Sequence, residues 1–218
     1  MTRKPHALVA VDPGTHLGWA VAHADGAIDS GAEHFDPARH EREGMRFLRV
    51  RVFLQDLKRG IEARGEVIAY LGYERVNFLP PETKNGRAPV KPAHIYGAIW
   101  GVMTAWCEAN AIPYHGYAPL TLKAEFVGNH KADKFAVVEA LLKRGFAPKS
   151  QDEADALGLL HLLLARRAAV AELRARGHDV VEAFKEPIFI VDGRTMNGLG
   201  LLALCRAGAA ATKPVKAA

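Results

Sequence analysis

The chain is poor in cysteine: Cys107 and Cys205 are the only two in 218 residues, far apart and without a CxxC or Cys/His zinc spacing. Such a pair supports neither a disulfide framework nor a structural zinc site, and it fits a reduced cytosol. Long apolar runs are also missing. The run at residues 7–11 stops at Asp12, too short for the core of a signal peptide, and no stretch approaches a transmembrane span. The expectation is a cytoplasmic protein with no membrane partner. There is no internal repeat and no strong excess of one charge. The 29 Lys and Arg against 24 Asp and Glu give +5 and a pI near 9.3, a balance that favours an anionic partner without requiring one.

Apolar surface, by contrast, is ample. At 49% hydrophobic residues the chain is large enough for one well-buried core and cramped for two. This predicts a domain over 1–170 and a C-terminal extension over 171–218, with "AAATKPVKAA" as a disordered tail. Residues 7–11 are a continuous apolar run ended by Asp12-Pro13-Gly14, the pattern of a buried strand entering a tight turn. Residues 18–23 and 27–35 read as two short strands around "ADG", completing a three-strand meander. From about 38 to 64 the spacing is helical, with Val50, Phe53, Leu54, Leu57 and Ile61 on one face and Arg42, Arg46 and Arg49 on another. The buried strand "EVIAYLGYER" follows, with Glu74 at its end. Pro80, Pro81, Pro89 and Pro92 then make the next stretch a long loop.

Further along, 93–110 reads as a helix, "IPYHGY" as a strand and "PLTLKAEFVG" as a short helix or turn. "KADKFAVVEALLKRG" is a helix ended by Gly145, and "SQDEADALGLLHLLLARRAAVAELRARG" is one long or two shorter helices. "IFIVDGRTMNG" suits a strand and hairpin. The order of three strands, helix, strand, helix, strand and helices predicts an α/β fold. Its five-stranded mixed sheet, flanked by helices, is antiparallel over the first three strands and joined by crossover helices thereafter.

Three separate segments place acids at the ends of these elements: Asp12 after the first strand, Glu74 after the fourth, and Asp152 with Asp155 at the start of the last core helix. Asp152 and Asp155 are three apart and share a helix face, whereas Glu153 points elsewhere. Converging carboxylates repel unless protons or cations intervene, and hard divalent ions such as Mg2+ prefer such oxygen ligands. Two ions held about 3.5–4 Å apart can activate a water and stabilise the leaving oxygen in phosphodiester cleavage.

"VDPGTHLGWAV", "YERVNF", "HIYGAIWGVMTAWCEANAIPYHGYAPLTLKAEFVGNHKADK" and "DEADALGLL" occur in an order and spacing that resembles RuvC-type Holliday junction resolvases, of the RNase H-like nuclease superfamily, over roughly residues 7–167. The resemblance implies an RNase H-like fold and makes Asp12, Glu74, Asp152 and Asp155 the metal-binding catalytic acids. It implies two Mg2+ ions per active site, with Mn2+ able to substitute, and a homodimer that nicks two strands of a branched DNA. It further implies that Lys123, and Lys131 and Lys134 of "HKADK", lie near the DNA backbone. Two departures mark the chain as a divergent, phage-type relative. Gly18 follows the "DPG" turn one residue early, and the aromatic usually three places after the glutamate is Asn77 here, with Phe78 one place later as the stand-in for base stacking.

Each feature taken alone also has an ordinary reading. Asp12 is a turn aspartate, Glu74 a strand-end ion-pair partner, and Asp152 and Asp155 are acids favoured in a first helical turn. The loop carrying Lys84, Arg87 and Lys91 is a solvated surface loop on that reading. Its place after Glu74 instead suits a cationic loop gripping phosphates. Arg42, Arg46 and Arg49 read as a solvated helix face, His130 and His161 as surface or core histidines, and Trp100, Met103 and Trp106 as core or dimer interface. Rival functions are an RNase H-like nuclease acting on flaps or RNA–DNA hybrids and a non-catalytic junction-binding module. A kinase-like ATPase shares an acidic turn like "DPGT" but needs far more chain and a second phosphate loop.

Overall fold

The structure, a computed structural model, describes residues 4–75, 90–183 and 188–211. The chain forms two compact units, 1–160 and 161–218, that divide inside one helix. Ala169, Val170 and Leu173 of that helix lie in the core of the second unit.

In the first unit, strands β1 (His6–Asp12), β2 (His16–Ala22), β3 (Ile28–His34), β4 (Val67–Glu74) and β5 (Tyr114–Tyr117) form one sheet. Its order is β3-β2-β1-β4-β5. β1, with five consecutive buried residues, lies at the centre. It pairs antiparallel with β2 and parallel with β4, and β4 pairs parallel with β5. The five-stranded mixed sheet and its three-strand meander are as the sequence predicts. The "ADG" turn closes through Gly26 at φ 90° and the 2.8 Å bond from His23 N to Ala27 O.

Helix α1 (Gly44–Ala63) and helix α2 (Val90–Ala109) supply the crossovers. Val50, Leu54, Ile61, Ile99, Met103 and Cys107 join Val9, Val11 and Leu71 in one buried cluster. α1 starts six residues later than its apolar spacing suggests: residues 38–41 close instead on the 2.7 Å bond from Ala38 N to the Glu41 carboxylate. Its arginines are not merely solvated, since Arg46 pairs with Asp36 and Arg49 with Glu41. α2 starts earlier than expected and contains Pro92, because a helix's first turn does not use the N–H that proline lacks. Met103 and Trp106 are core residues, and Trp100 is exposed on one side while its indole N–H donates to the Tyr73 hydroxyl at 2.8 Å.

Helix α3 (Pro119–Leu122) runs into a single π-turn at Lys123–Val127, closed by Gly128 in the left-handed region. Helix α4 (Lys134–Leu142) is capped by Asp133, which accepts from Ala136 N. Helix α5 (Gln151–Ala175) is one continuous helix. Gly158 lets it come close to its neighbours, since a Cβ there would stand 3.2 Å from Val137 and 3.3 Å from Leu122.

In the second unit the remainder of α5 joins strands β6 (Val180–Ala183), β7 (Ile188–Val191) and β8 (Arg194–Met196) and helix α6 (Gly198–Ala211). β7 is central and antiparallel to both neighbours. The β7–β8 hairpin suggested by "IVDGRT" turns on Asp192 and Gly193, both at positive φ, as a two-residue turn of the primed type requires. Val170, Leu173, Val180, Phe189, Val191 and Leu201 are its core. No helix among the described residues is long and apolar enough to cross a membrane.

Candidate active site

The parallel strands β1 and β4 end at Asp12 and Glu74 on the same edge of the sheet. Their register pairs Val11 with Tyr73, so the next step sets Asp12 beside Glu74, which in turn pairs with Tyr117. The carboxyl ends of strands in an open α/β sheet are where such folds place their sites. The Glu74 backbone is held from two sides. The Tyr96 hydroxyl donates to its carbonyl at 3.1 Å, and Arg75 N donates to Tyr117 O at 2.8 Å.

α5 brings the other two acids to this edge through a contact without side chains. Gly18 pairs with Asp12 across the β1–β2 ladder, and a Cβ on Gly18 would lie 1.8 Å from the Asp152 carbonyl oxygen. Only glycine allows the first turn of α5 to rest directly on β2, next to Asp12. The helix start is fixed by a variant of the capping box. Ser150 Oγ accepts from Glu153 N at 3.1 Å. The buried Glu153 carboxylate accepts from Lys149 N at 2.7 Å and from the Ser30 hydroxyl of β3 at 2.7 Å. Glu153 therefore points away from the site, as its place in the helix predicts, and ties the helix to the sheet. Asp152 and Asp155 are both half-buried, and the Gln151 amide donates to the two Asp155 oxygens at 3.1 and 3.3 Å.

The electrostatics record the convergence. Burial, reinforced by the charges of Glu74, Asp155 and Asp152, raises the Asp12 pKa well above the usual carboxylate range. Burial and Asp155 push Glu74 up to about 7, against the opposing pull of Lys123. Acids from β1, β4 and α5 thus share one region of negative potential, and the cost of keeping them ionised falls when a proton or a cation enters.

Among the described residues no three His, Cys, Asp or Glu side chains stand arranged to hold a metal ion as they are. The donor chemistry nevertheless suits one: every acid here offers oxygen, and hard divalent cations favour carboxylate oxygen.

Of the cationic candidates, Lys123 begins the π-turn and its charge reaches Glu74. π-turns are frequent at functional sites. Lys131 is exposed in the loop before α4. Lys134 opens α4 and Lys91 lies in the first turn of α2, but both side chains fall outside the described residues, as do Phe78, Lys84 and Arg87. His130 is exposed and His161 half-buried in α5. Sequence reasoning misses Gln151, the Ser30–Glu153 tie and the packing role of Gly18. The Ser150-x-x-Glu153 pattern and the early glycine were the available signals for the last two.

No family profile matches the chain. Among curated proteins it is 31% identical over 152 residues to a crossover junction endodeoxyribonuclease RuvC of Anaeromyxobacter sp. (strain Fw109-5), a match covering 65% of this chain and 72% of that protein. It is 38% identical over 85 residues to the RuvC protein of Anaeromyxobacter sp. (strain K), covering 38% of this chain and 45% of that one. The fold resembles T. thermophilus RuvC in complex with a Holliday junction substrate, at a TM-score of 0.55 and 22% identity over 70% of this chain and 88% of that one. A second Thermus thermophilus RuvC structure gives 0.53 and 23%, over 74% and 96%. With 31% identity along 72% of a curated relative, on a fold shared with solved RuvC structures, the chain belongs to the RuvC family of crossover junction endodeoxyribonucleases.

Proposed function

We propose that the chain is a metal-dependent endonuclease that nicks branched DNA, resolving four-way junctions as a homodimer in the cytoplasm. The observation that carries this reading is the meeting of Asp12, Glu74, Asp152 and Asp155 from three distant segments, with burial and then mutual repulsion raising two of them. Such a cluster costs stability unless it serves to gather cations. A module that only bound DNA would have no use for negative charge where phosphates arrive.

The four acids would hold two Mg2+ ions, with Mn2+ as a substitute. When bound, such ions supply an activated water and stabilise the leaving oxygen of a phosphodiester. The protein's part is to keep the four carboxylates oriented: β1 and β4 through their shared register, α5 through Gly18 and the Ser30–Glu153 tie, and Asp155 through Gln151. Lys123, Lys131 and Lys134 are assigned to the DNA backbone, where cations position the strand without reading sequence. Phe78, Lys84, Arg87 and Lys91 are assigned to the same DNA surface. Residues 1–170 would carry the nuclease and 171–218 an extension to it.

The test is cleavage of a labelled synthetic four-way junction with Mg2+ or Mn2+, against EDTA and linear duplex controls. Paired nicks in opposite strands that require metal are expected. Tight junction binding without cutting would favour the binding module, and preferential cutting of flaps or RNA–DNA hybrids at one salt concentration would move the substrate class.

A further inference from the structure

At the same edge of the sheet as the acids, two histidines that the proposed chemistry does not use are stacked. His16 of β2 and His34 of β3 are direct cross-strand partners. Their rings lie 4.3 Å apart at centroid and 13° from parallel. That separation is close to the spacing between neighbouring strands, about 4.7–4.9 Å, so the stacking axis runs across the sheet. The strand order β3-β2-β1-β4 then sets one line along this edge: His34, His16, the Asp12 turn, Glu74. With one face of the His16 ring covered by His34, its other face lies on the side of β1, toward the acids.

Two contacts fix which face of the sheet the pair occupies. His16 is two residues from Gly18, and His34 four from Ser30, so each shares a face with its neighbour. Gly18 meets the backbone of Asp152 and Ser30 binds Glu153. The pair therefore sits on the face that carries α5, just beyond the point where that helix begins. Both rings are exposed there. The platform is also braced. His34 Nε2 is 2.9 Å from the Asp36 carboxylate, which pairs with Arg46 of α1. Phe35 N donates to Thr15 O at 3.0 Å, tying the ends of the two strands together.

We propose that the His16–His34 stack is a shelf on which an unpaired nucleobase of the bound DNA strand stacks beside the four acids. An exposed, pre-stacked aromatic face offers a base the sequence-tolerant contact used by single-strand binders. A base freed from its partner near the break in a branched DNA is its natural occupant. The inference rests on the nuclease reading above and adds the contact that would locate the strand.

The test uses the full chain with a four-way junction in Ca2+, carrying 2-aminopurine at successive positions around the cut site. Wild type should quench the probe at one of these positions. His16→Ala should lose that quenching and weaken binding by about fivefold to a hundredfold, the scale of one base–aromatic stack. His16→Phe, which keeps the flat face and removes the ring nitrogens, should restore both. Restoration by His16→Arg but not by His16→Phe would overturn the shelf in favour of a phosphate contact. An unchanged His16→Ala would also overturn it, provided wild type binds and cuts junctions. A wild-type chain that neither binds nor cuts would overturn the nuclease reading and the shelf together. Each variant's metal-free thermal midpoint should stay within about 6 °C of wild type, since only the exposed ring stack on His34 changes.

Discussion

Gly18 and Asp152 meet backbone to backbone: a single methyl group on Gly18 would stand 1.8 Å from the Asp152 carbonyl oxygen. Because Gly18 also pairs with Asp12, this contact sets the spacing between the acid on β1 and the two on α5. Gly18→Ala must push helix and sheet apart. The expected cost is about 3 kcal/mol or more, at the upper end of overpacking effects, seen as a fall of roughly 6–12 °C in thermal midpoint for a chain of this size. Mn2+ affinity, followed by calorimetry, should fall as well. A variant with wild-type midpoint and affinity would show that the contact does not organise the site.

Removing one charge from the cluster should have opposite effects on activity and on stability. Asp12→Asn or Asp155→Asn is expected to lower metal-dependent junction cleavage about 100- to 1000-fold or more, the scale of losing one electrostatic element of an active site, while junction binding persists. In EDTA Asp12→Asn should melt higher than wild type, because burial and the neighbouring acids disfavour the Asp12 charge. Undiminished cutting by either variant would remove that residue from the catalytic set.

The raised carboxyl groups make the stability of the metal-free chain depend on pH. Glu74 moves from 4.5 in the unfolded chain to about 7 in the fold, and Asp12 moves in the same direction. The folded state then holds protons that the unfolded state has released, so stability is fully present below about 4.5 and declines as pH rises toward 7. For Glu74 alone the change is on the order of 3 kcal/mol. Urea unfolding in EDTA should therefore give a lower midpoint at pH 8 than at pH 5.5, and saturating Mg2+ should shrink the difference. A midpoint that rises across this range in EDTA would contradict the raised pKa values of Glu74 and Asp12.

Glu153 sits between Asp152 and Asp155 in the broader acidic run yet belongs to the scaffold. Glu153→Ala strands the Ser30 hydroxyl and Lys149 N–H and should cost about 1–3 kcal/mol. A double-mutant cycle with Ser30→Ala should return a coupling of at least about 0.5 kcal/mol, measured by denaturant unfolding. Additive losses would mean that the 2.7 Å Ser30–Glu153 bond contributes nothing to holding the helix on the sheet.

The parts of this protein that were legible in the chain are those encoded by neighbouring residues. An apolar run stopped by Asp-Pro-Gly is already a buried strand with an acid at its end, whatever surrounds it. Two aspartates three apart share a helix face because the period of the helix is 3.6 residues. The mixed sheet followed from the order of such segments, since crossover helices dictate parallel pairing. Boundaries were less secure where local signals competed, as at Pro92, which a first helical turn accepts, and at residues 38–43, where the Glu41 carboxylate closes a turn ahead of α1.

What the tertiary structure alone decided are the contacts between segments distant in sequence. Ser30 and Glu153, 123 residues apart, become partners only once β3 and α5 are both docked. Gly18 is one of 20 glycines until the helix comes to rest on it. His16 and His34 become one aromatic surface only through the register of a hairpin, in which a shift of one residue would turn each ring to the opposite face. The sequence by itself determined which acids stand at the ends of which elements, because that depends on local periodicity. Their meeting, the raised pKa values of Asp12 and Glu74 and the shelf beside them depend on register and close backbone approach, which no single segment carries.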